Sequence, residues 1–279
     1  MEKDAKASFY FMSKRERELA FIEEMTIRKR PEYFFSVYSE YGNSPLAVAA
    51  EMNFRNPSPE PFIRILPRRC GSTTAAVDYG IYRMITLHRQ ETIFFFCSSG
   101  FDVAQTMKQF AQRLQYAIDI FIPRALEPYG EHISIHTKHK KIWLESKRGT
   151  KLTEISFENM FNPNVLKGHT SQEFIVDLQH LGTNSKRFEI VEENLHDMFL
   201  FSGLSGHRLT IFQSGLSISK KSLIEDHKST QYLSFEQFSH INPIEYQSRM
   251  LNNFVGFDLS QYALECLCSR EVFDNEQQF

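Results

Sequence analysis

The sequence predicts an α/β fold with a mainly parallel sheet, helices on its faces and an antiparallel hairpin inserted into it. Three observations lead to this prediction. Buried apolar runs alternate with helical patterns, a central region shows short alternating runs, and two further apolar runs follow that region. Strand, helix, strand and helix in succession are typical of a parallel sheet with crossover helices.

The first four elements lie between residues 62 and 122. The run FIRIL (Phe62–Leu66) predicts a buried strand, and small and apolar residues at helical spacing predict a helix from residue 73 to residue 87. The continuous apolar run ETIFFFCSS (residues 91–99) predicts a second buried strand. Apolar residues at i, i+3, i+4 and i+7 predict a second helix in DVAQTMKQFAQRLQYAIDIFI (residues 102–122).

The inserted hairpin is predicted between residues 131 and 158. Short alternating runs, HISIH, KKIWLES and TEISFE, are typical of antiparallel strands, and KRGTK reads as a turn between two of them. The parallel sheet is then predicted to resume at EFIVDL (Glu173–Leu178) and at RLTIFQSG (residues 208–215). The α/β domain is therefore expected to occupy residues 60–217.

Segments of different texture lie on either side of this domain. Residues 1–59 are predicted to form a helical N-terminal extension, with an amphipathic helix in KRERELAFIEEMTIRKR (residues 14–30) that is limited by Pro31. Three prolines in NFRNPSPEPF indicate an extended lead-in to the first strand. Residues 218–279 are expected to be a C-terminal segment that follows the core.

Composition limits the classes of partner. With 32 Lys and Arg against 34 Asp and Glu, the net charge near −2 provides no global attraction for nucleic acid or an anionic membrane, so any DNA contact must be local. The run KHKK (residues 138–141) is either a solvated turn or such a local patch.

The expected compartment is intracellular, with no membrane partner. The longest apolar runs are much shorter than the ~20 residues of a membrane span, and the N-terminus lacks the pattern of a signal peptide. The four cysteines match neither a zinc site nor a disulfide framework, which indicates reduced thiols.

The stretch LPRRCGSTTA (residues 66–75) has the layout of a phosphate-binding loop. A buried strand leads to a glycine turn, and hydroxyl residues open a helix whose N–H groups would meet phosphate. Gly71 would supply the tight turn, and Thr73 or Thr74 a hydroxyl for magnesium. However, Ser72 occupies the place of the lysine that such loops carry. On this stretch alone, helix capping is the favoured explanation.

A second strand offers the acid that a nucleotide-hydrolysing site needs. Asp177 ends the predicted strand EFIVDL, where it would orient magnesium. Leu178 stands where a glutamate would polarise the attacking water, and it has no group to do so. Glu173 lies at the far end of the same strand and is a poor replacement.

These elements together resemble the ATPase domain of viral terminase large subunits, the motors of herpesviruses and tailed phages that package DNA into capsids. PRRCGST matches the Pro-Arg-Arg-x-Gly-Lys-Thr loop of that family except at the lysine. LKGHTSQEFIVDLQH resembles its Asp-Glu-Ala-His box and the turn before it, with Lys167 and Gly168 in the turn and His180 at the box histidine. TIFQSGLS resembles the coupling motif at Ser214 and Ser217. The Walker A and Walker B motifs are thus degenerate, as in a pseudoenzyme.

The resemblance implies roles for individual residues. Arg68 would be the arginine that reaches the γ-phosphate, and Arg69 would compensate in part for the missing lysine. Thr73 and Asp177 would bind Mg²⁺ with ATP, and Ser214 would couple hydrolysis to movement. The implied nucleotide-binding set is Arg68, Arg69, Cys70, Gly71, Ser72, Thr73 and Thr74.

The function implied is that of a terminase ATPase-domain homologue in viral DNA packaging, with weak or absent ATP hydrolysis. Its expected partners are viral DNA, other terminase subunits and the portal, in a homo- or hetero-oligomer inside the infected host cell, or its nucleus for a herpesvirus-type chain. Two alternatives stay open: an active ATPase with an arginine-bearing loop, and a scaffold that has lost the nucleotide.

Two further expectations concern activity. No nuclease domain is expected in residues 218–279, because Asp258 is a single acid and cannot assemble a two-metal site. Hydrolysis is expected only when Ser72→Lys and Leu178→Glu are combined, since each restores a different lost group.

Overall fold

The computed structural model describes ten segments of the chain. The predicted N-terminal helix, Ser217 and Asp258 lie outside these segments. The described segments are residues 60–68, 71–86, 92–97, 100–125, 133–146, 149–166, 173–178, 185–205, 207–216 and 222–232.

The described segments form eight strands and three helices. The strands β1 to β8 are, in chain order, Phe62–Leu66, Thr92–Cys97, Ile133–Lys138, Lys141–Ser146, Lys151–Asn159, Glu173–Leu178, Arg208–Ser214 and Thr230–Tyr232. The helices α1 to α3 are Ser72–Thr86, Gly100–Ala125 and Ser185–Ser205. The predicted strands at β1 to β7 and the helices at α1 and α2 are confirmed within a few residues.

All eight strands belong to one sheet in the order β3-β4-β5-β2-β6-β7-β1-β8. The pairs from β5 through β2, β6, β7 and β1 to β8 are parallel, and those between β3, β4 and β5 are antiparallel. The predicted α/β class with a mainly parallel sheet is confirmed.

The predicted antiparallel strands are confirmed as β3, β4 and β5, and they belong to the same sheet as the parallel strands. Strand β5 pairs antiparallel with β4 on one side and parallel with β2 on the other. The main-chain N–H of Met160, just after β5, also donates to the Cys97 carbonyl at 2.9 Å. The antiparallel strands therefore form one end of the sheet, with β3 at its edge.

Strand alternation divides the core into two layers. Ile93 and Phe95 of β2 pack in a cluster with α1 and α2, whereas Phe94 and Phe96 pack in a second cluster with α3. Continuous apolar runs such as TIFFFC fit a strand with both faces covered. The helices thus cover both faces of the parallel strands, as crossover connections require.

Two elements were not predicted from the sequence. Helix α3 buries Val191, Leu195 and Met198 against the sheet. Strand β8 pairs parallel with β1 and lies after residue 217, so the sheet extends beyond the predicted end of the α/β domain. Within the described segments, no helix is both long and apolar enough to cross a membrane.

Candidate functional site

The carboxyl ends of β1, β7 and β6 meet at one edge of the sheet. Strand β7 lies between the other two, with Leu66 of β1 in register with Ser214 and Leu178 of β6 in register with Gln213. Because neighbouring parallel strands end at the same edge, the loop after β1 and the acid of β6 both belong to it. We refer to this region as the β1–β6 edge.

The glycine turn after β1 shapes the start of α1. Gly71 has φ of 88°, a left-handed conformation that residues with a Cβ rarely adopt. Its carbonyl accepts the hydrogen bond from the Ala75 N–H at 2.8 Å, which begins the helix. The N–H groups that follow Gly71 have no acceptor within the first helical turn, and they carry the positive end of the helix dipole. This geometry suits an anion such as phosphate.

The side chains of the loop differ in exposure. Arg68 follows β1 in a turn and is half-buried, as are Thr73 and Thr74 in the first turn of α1. Ser72, the first residue of α1, is buried at 6% exposure. Arg69 and Cys70 lie outside the described residues, so their predicted roles stay predictions.

Asp177 lies at the end of β6 on the face of the sheet that α1 covers. Its neighbour two residues before, Ile175, packs in the α1–α2 cluster, and alternation puts Asp177 on the same side. Asp177 is 3% exposed and pairs in register with Cys97 of β2 and Phe212 of β7. The structure thus brings Asp177 to the same edge and the same layer as the start of α1.

Leu178 faces the other layer. It is 1% exposed and packs in the α3 cluster with Val176 and Leu195. A glutamate in its place would bury a carboxylate among apolar side chains, which costs several kcal/mol unless the charge is paired. From this geometry we expect that Leu178→Glu does not restore water activation, because the position faces the side of the sheet opposite to Asp177.

The turn after β7 is tied to the end of β1. The Gly215 N–H donates to the Leu66 carbonyl at 2.8 Å, and Gly215 itself has φ of 74°. The Gln213 amide donates to the Gly215 carbonyl at 2.8 Å and contacts Glu225 at 3.4 Å. Ser214, 7% exposed, lies within this turn, which these hydrogen bonds hold against β1.

Sequence reasoning selected Ser214, whose coupling role stays a prediction, but it missed the residues that hold this turn in place. Gln213 and Gly215 flank it in the motif QSG, and the glycine after a strand end was the signal that a left-handed turn follows. The contribution of Glu225 was not visible in the sequence, because it depends on how residues 222–232 fold back beside β1.

Glu173 has a role at the opposite end of β6. Its carboxylate accepts hydrogen bonds from the Tyr79 hydroxyl and the Arg83 Nε, both at 2.6 Å, and it is 2% exposed. Burial, then the charge of Glu173, raises the pKa of Tyr79, so the phenol stays protonated. Burial opposes the charge of Arg83, but the nearby Glu173 outweighs it, so the pKa of Arg83 lies above its usual value. These contacts anchor α1 to β6.

The donor set at the β1–β6 edge fits magnesium and a phosphate group in kind. Mg²⁺ is commonly held by one or two carboxylates together with substrate phosphates, and Asp177 and Thr73 supply oxygens of this type. Within the described part of the chain, no group of three or more His, Cys, Asp or Glu side chains could hold a metal without such a phosphate. The main-chain N–H groups at the start of α1 complete the set.

Comparisons with known proteins give similarity at the level of fold. The sequence matches no protein-family profile and, at a significant level, no curated protein. The structure is similar to a variant of the large terminase ATPase domain of Thermus phage P74-26, with a TM-score of 0.56 and 12% identity, covering 85% of this chain and 98% of that one.

A second similar structure is the large terminase of a thermophilic bacteriophage. The TM-score is 0.50 at 10% identity, and the match covers 86% of this chain but 52% of that one. The present chain therefore spans about half of that protein. Together the two matches support a terminase-like fold for this chain.

Proposed function

We propose that this chain is a homologue of the terminase ATPase domain that acts in viral DNA packaging and hydrolyses ATP weakly or not at all. The observation that carries the proposal is the fold similarity, which extends over 98% of a phage terminase ATPase domain. The sequence PRRCGST supports it, because the described ends of this loop, the end of β1 and the start of α1, lie at the same sheet edge as Asp177.

The proposed site binds ATP with Mg²⁺ at the β1–β6 edge in a P-loop arrangement. The N–H groups of the loop and of the first turn of α1 would hold the phosphates, and Arg68 would reach the γ-phosphate. Thr73 and Asp177 would hold Mg²⁺, which supplies charge neutralisation for phosphoryl transfer. Arg69, Cys70, Ser72 and Thr74 complete the proposed loop.

Two replaced residues support the weak or absent hydrolysis. Ser72 is neutral, so the charge that a lysine would bring to the β- and γ-phosphates is missing. Leu178 has no group that orients water, and its side chain is buried in the α3 layer. Nucleotide binding and hydrolysis are thus impaired by separate causes.

The proposed setting is a packaging complex in the infected host cell, in the nucleus for a herpesvirus-type virus. In that complex the chain would contact viral DNA, other terminase subunits and the portal, as part of a homo- or hetero-oligomer. Arg68 at the β1–β6 edge would act on its own nucleotide or on that of a neighbouring subunit. Ser214, in the turn braced against β1, would transmit a change at the phosphates to β7.

The test begins with binding of ATP and ADP to the purified chain, with and without Mg²⁺, by calorimetry. We expect Mg²⁺-dependent binding that Asp177→Asn weakens by about tenfold, as is common for removal of a metal ligand or its direct support. The exposed Asp226→Asn is the matched control and should bind as the native chain does. Ser72→Lys should bind more tightly.

Turnover is then measured with and without duplex DNA. We expect background rates for the native chain and little turnover for Ser72→Lys. Turnover by the native chain that is lost in Arg69→Ala would instead identify an active ATPase with its charge moved to the arginine pair. Absence of both binding and turnover would identify a scaffold that has kept the fold and lost the nucleotide.

A further inference from the structure

The open face of the three antiparallel strands carries a group of basic and aromatic side chains. In β3, β4 and β5, apolar residues such as Ile142, Leu144 and Ile155 face the α1–α2 layer. Strand alternation puts the intervening residues on the other side, which we call the basic hairpin face. Its members, with the turn between β3 and β4, are Ser134, His136, Lys138, His139, Lys140, Lys141, Trp143, Glu145, Lys151, Glu154, Ser156 and Glu158.

The turn that joins β3 to β4 is built from unfavourable residues. Lys138 pairs with Lys141, which leaves only His139 and Lys140 in the loop. Both have left-handed φ, 48° and 60° respectively. Two-residue turns of this shape strongly prefer Asn-Gly or Gly-Gly, because a Cβ is strained there. A histidine and a lysine thus occupy positions that local stability would give to glycine and asparagine.

The aromatic residues of the face are packed from both sides. The rings of His136 and Trp143 stack with centroids 5.3 Å apart and planes 12° apart. The ammonium of Lys151 lies 5.3 Å from the centre of the Trp143 ring. His136 and Lys151 belong to the strands on either side of β4, so the indole is enclosed between them. The ring is therefore not open to stack on a nucleic-acid base.

The charges of the face sum to a positive excess. Glu154 accepts hydrogen bonds from both Lys141, at 2.8 Å, and Lys151, and Glu145 lies 3.7 Å from the His136 ring. Lys138 and Lys140 have no carboxylate partner within the described residues. Glu158 also lies on this face beside the turn, because it follows Phe157, whose N–H donates to the Lys140 carbonyl at 2.8 Å. Four lysines against three glutamates leave one positive charge, and Lys138 and Lys140 lie at the exposed tip.

Protection of the sheet edge does not account for this arrangement. Lysines on an edge strand do prevent pairing with other chains. However, among the four lysines only Lys138 lies on the edge strand β3, whereas Lys140 is in the turn and Lys141 and Lys151 are on inner strands. The four lysines thus lie across the face and at the tip of the hairpin, and they are not confined to its edge strand.

We propose that the basic hairpin face contacts the phosphate backbone of double-stranded DNA, without reading its sequence. Lysine is depleted at protein interfaces and serves as a point charge for phosphate, which disfavours an acidic protein as the partner. The enclosed Trp143 ring disfavours single strands, which bind by stacking on open aromatic rings. The positive excess at the tip complements a phosphate backbone. The choice of DNA, and not another molecule with many phosphates, rests on the proposed function.

The test is the salt dependence of binding to a 30-base-pair duplex of random sequence, measured on the full chain without nucleotide. The native chain should bind at 50 mM salt, and the affinity should fall with salt. The double change Lys138→Gln and Lys140→Gln should reduce the slope of log K against log[salt] by about two and weaken binding roughly 10- to 30-fold at 0.15 M salt. A duplex of another sequence should give the same values.

Three controls make the result specific. Lys228→Gln removes an exposed lysine next to β8, at the opposite end of the sheet, and should leave the slope unchanged. Lys138→Arg with Lys140→Arg should keep it. Thermal unfolding of each variant checks the fold. An unchanged slope in the Gln double variant, an equal loss in Lys228→Gln, no duplex binding by the native chain, or tighter binding to polyglutamate would overturn the proposal.

The outcome can be separated from that of the proposed function. Asp177→Asn should weaken nucleotide binding and leave the salt slope for DNA unchanged. If the chain binds no nucleotide while the Gln double variant still loses its slope, the hairpin proposal stands and the ATPase-domain proposal fails. The reverse pattern would refute the hairpin proposal alone.

Discussion

The hydroxyl of Tyr79 in α1 donates a 2.6 Å hydrogen bond to the carboxylate of Glu173, the first residue of β6. The same carboxylate accepts from Arg83 one helical turn further on. Helix α1 begins at the glycine loop, and β6 ends near Asp177. This buried contact therefore holds α1 against β6 at the end of β6 opposite to Asp177. It thereby helps to position both the start of α1 and Asp177 at the β1–β6 edge.

Removal of the Tyr79 hydroxyl should destabilise the chain. Tyr79→Phe leaves Glu173 buried with only part of its hydrogen bonding, and a hydrogen bond to a charged group contributes about 1.5–3 kcal/mol. We expect the free energy of unfolding in urea to fall by about that amount. Tyr232→Phe, at a site that is 48% exposed, is the control and should change it little. Equal effects of the two changes would contradict the proposed anchor.

The glycine turn should not tolerate a side chain. At φ of 88°, Gly71→Ala introduces left-handed strain of about 1–2 kcal/mol and should displace the start of α1, so both stability and nucleotide binding should fall. Gly203→Ala is the matched control, because a Cβ there meets no atom within 4 Å in α3. It should stabilise the chain by about 0.5–1 kcal/mol. If Gly71→Ala loses stability but binds nucleotide as the native chain does, the glycine turn is not part of the nucleotide site.

Leu178→Glu should unfold the protein more easily and should not produce hydrolysis. The side chain is 1% exposed in the α3 cluster, so an unpaired carboxylate there costs several kcal/mol. Leu178→Met keeps the volume and should cost less than about 1.5 kcal/mol. Urea unfolding and ATP turnover are measured for both, alone and with Ser72→Lys. Hydrolysis by the stable double variant would show that this position can reach the nucleotide.

Relief of the strained turn should raise stability and weaken DNA binding together. Lys140→Gly removes left-handed strain of about 1–2 kcal/mol but costs about 0.5–1 kcal/mol in backbone entropy, which leaves a net gain of about 0–1.5 kcal/mol. It also removes one tip charge, so the salt slope should fall by about one. Thr137→Gly, in the extended strand β3, should destabilise instead. A gain in stability with an unchanged slope would show that the strain serves another purpose.

The contribution of Glu154 should depend on pH. Burial raises the pKa of this carboxyl, but Lys141 and Lys151 outweigh it, so the pKa lies below the usual 4.5. A carboxylate with a lowered pKa stabilises the folded state above its unfolded pKa and loses that effect as pH falls through the folded value. At pH 7 the free energy of unfolding of the native chain should be about 1 kcal/mol higher than that of Glu154→Gln. We expect no larger difference, because both lysines are half exposed and water screens their charges. The difference should shrink below pH 4.5, and the exposed Glu193→Gln is the control.

Short-range patterns in the sequence predicted most single elements correctly. Apolar runs, alternating runs and helical spacing are properties of neighbouring residues, and they located β1 to β7, α1 and α2. Helix α3 escaped because its C-terminal half, with exposed Leu200 and Phe201, does not separate an apolar side from a polar one. Strand β8 has only three residues, two of them exposed, and so offers no apolar run to recognise.

The sequence alone determined the chemistry that is available at the site: a glycine turn before hydroxyl residues, an acid at a strand end, and a leucine and a serine in place of charged groups. Only the tertiary structure decided the arrangement. The pairing of β7 between β1 and β6, the contact of Glu173 with Tyr79, and the packing of Leu178 against α3 join residues far apart in the chain. Such pairings follow from burial of whole faces in a common core, which no local window of sequence contains.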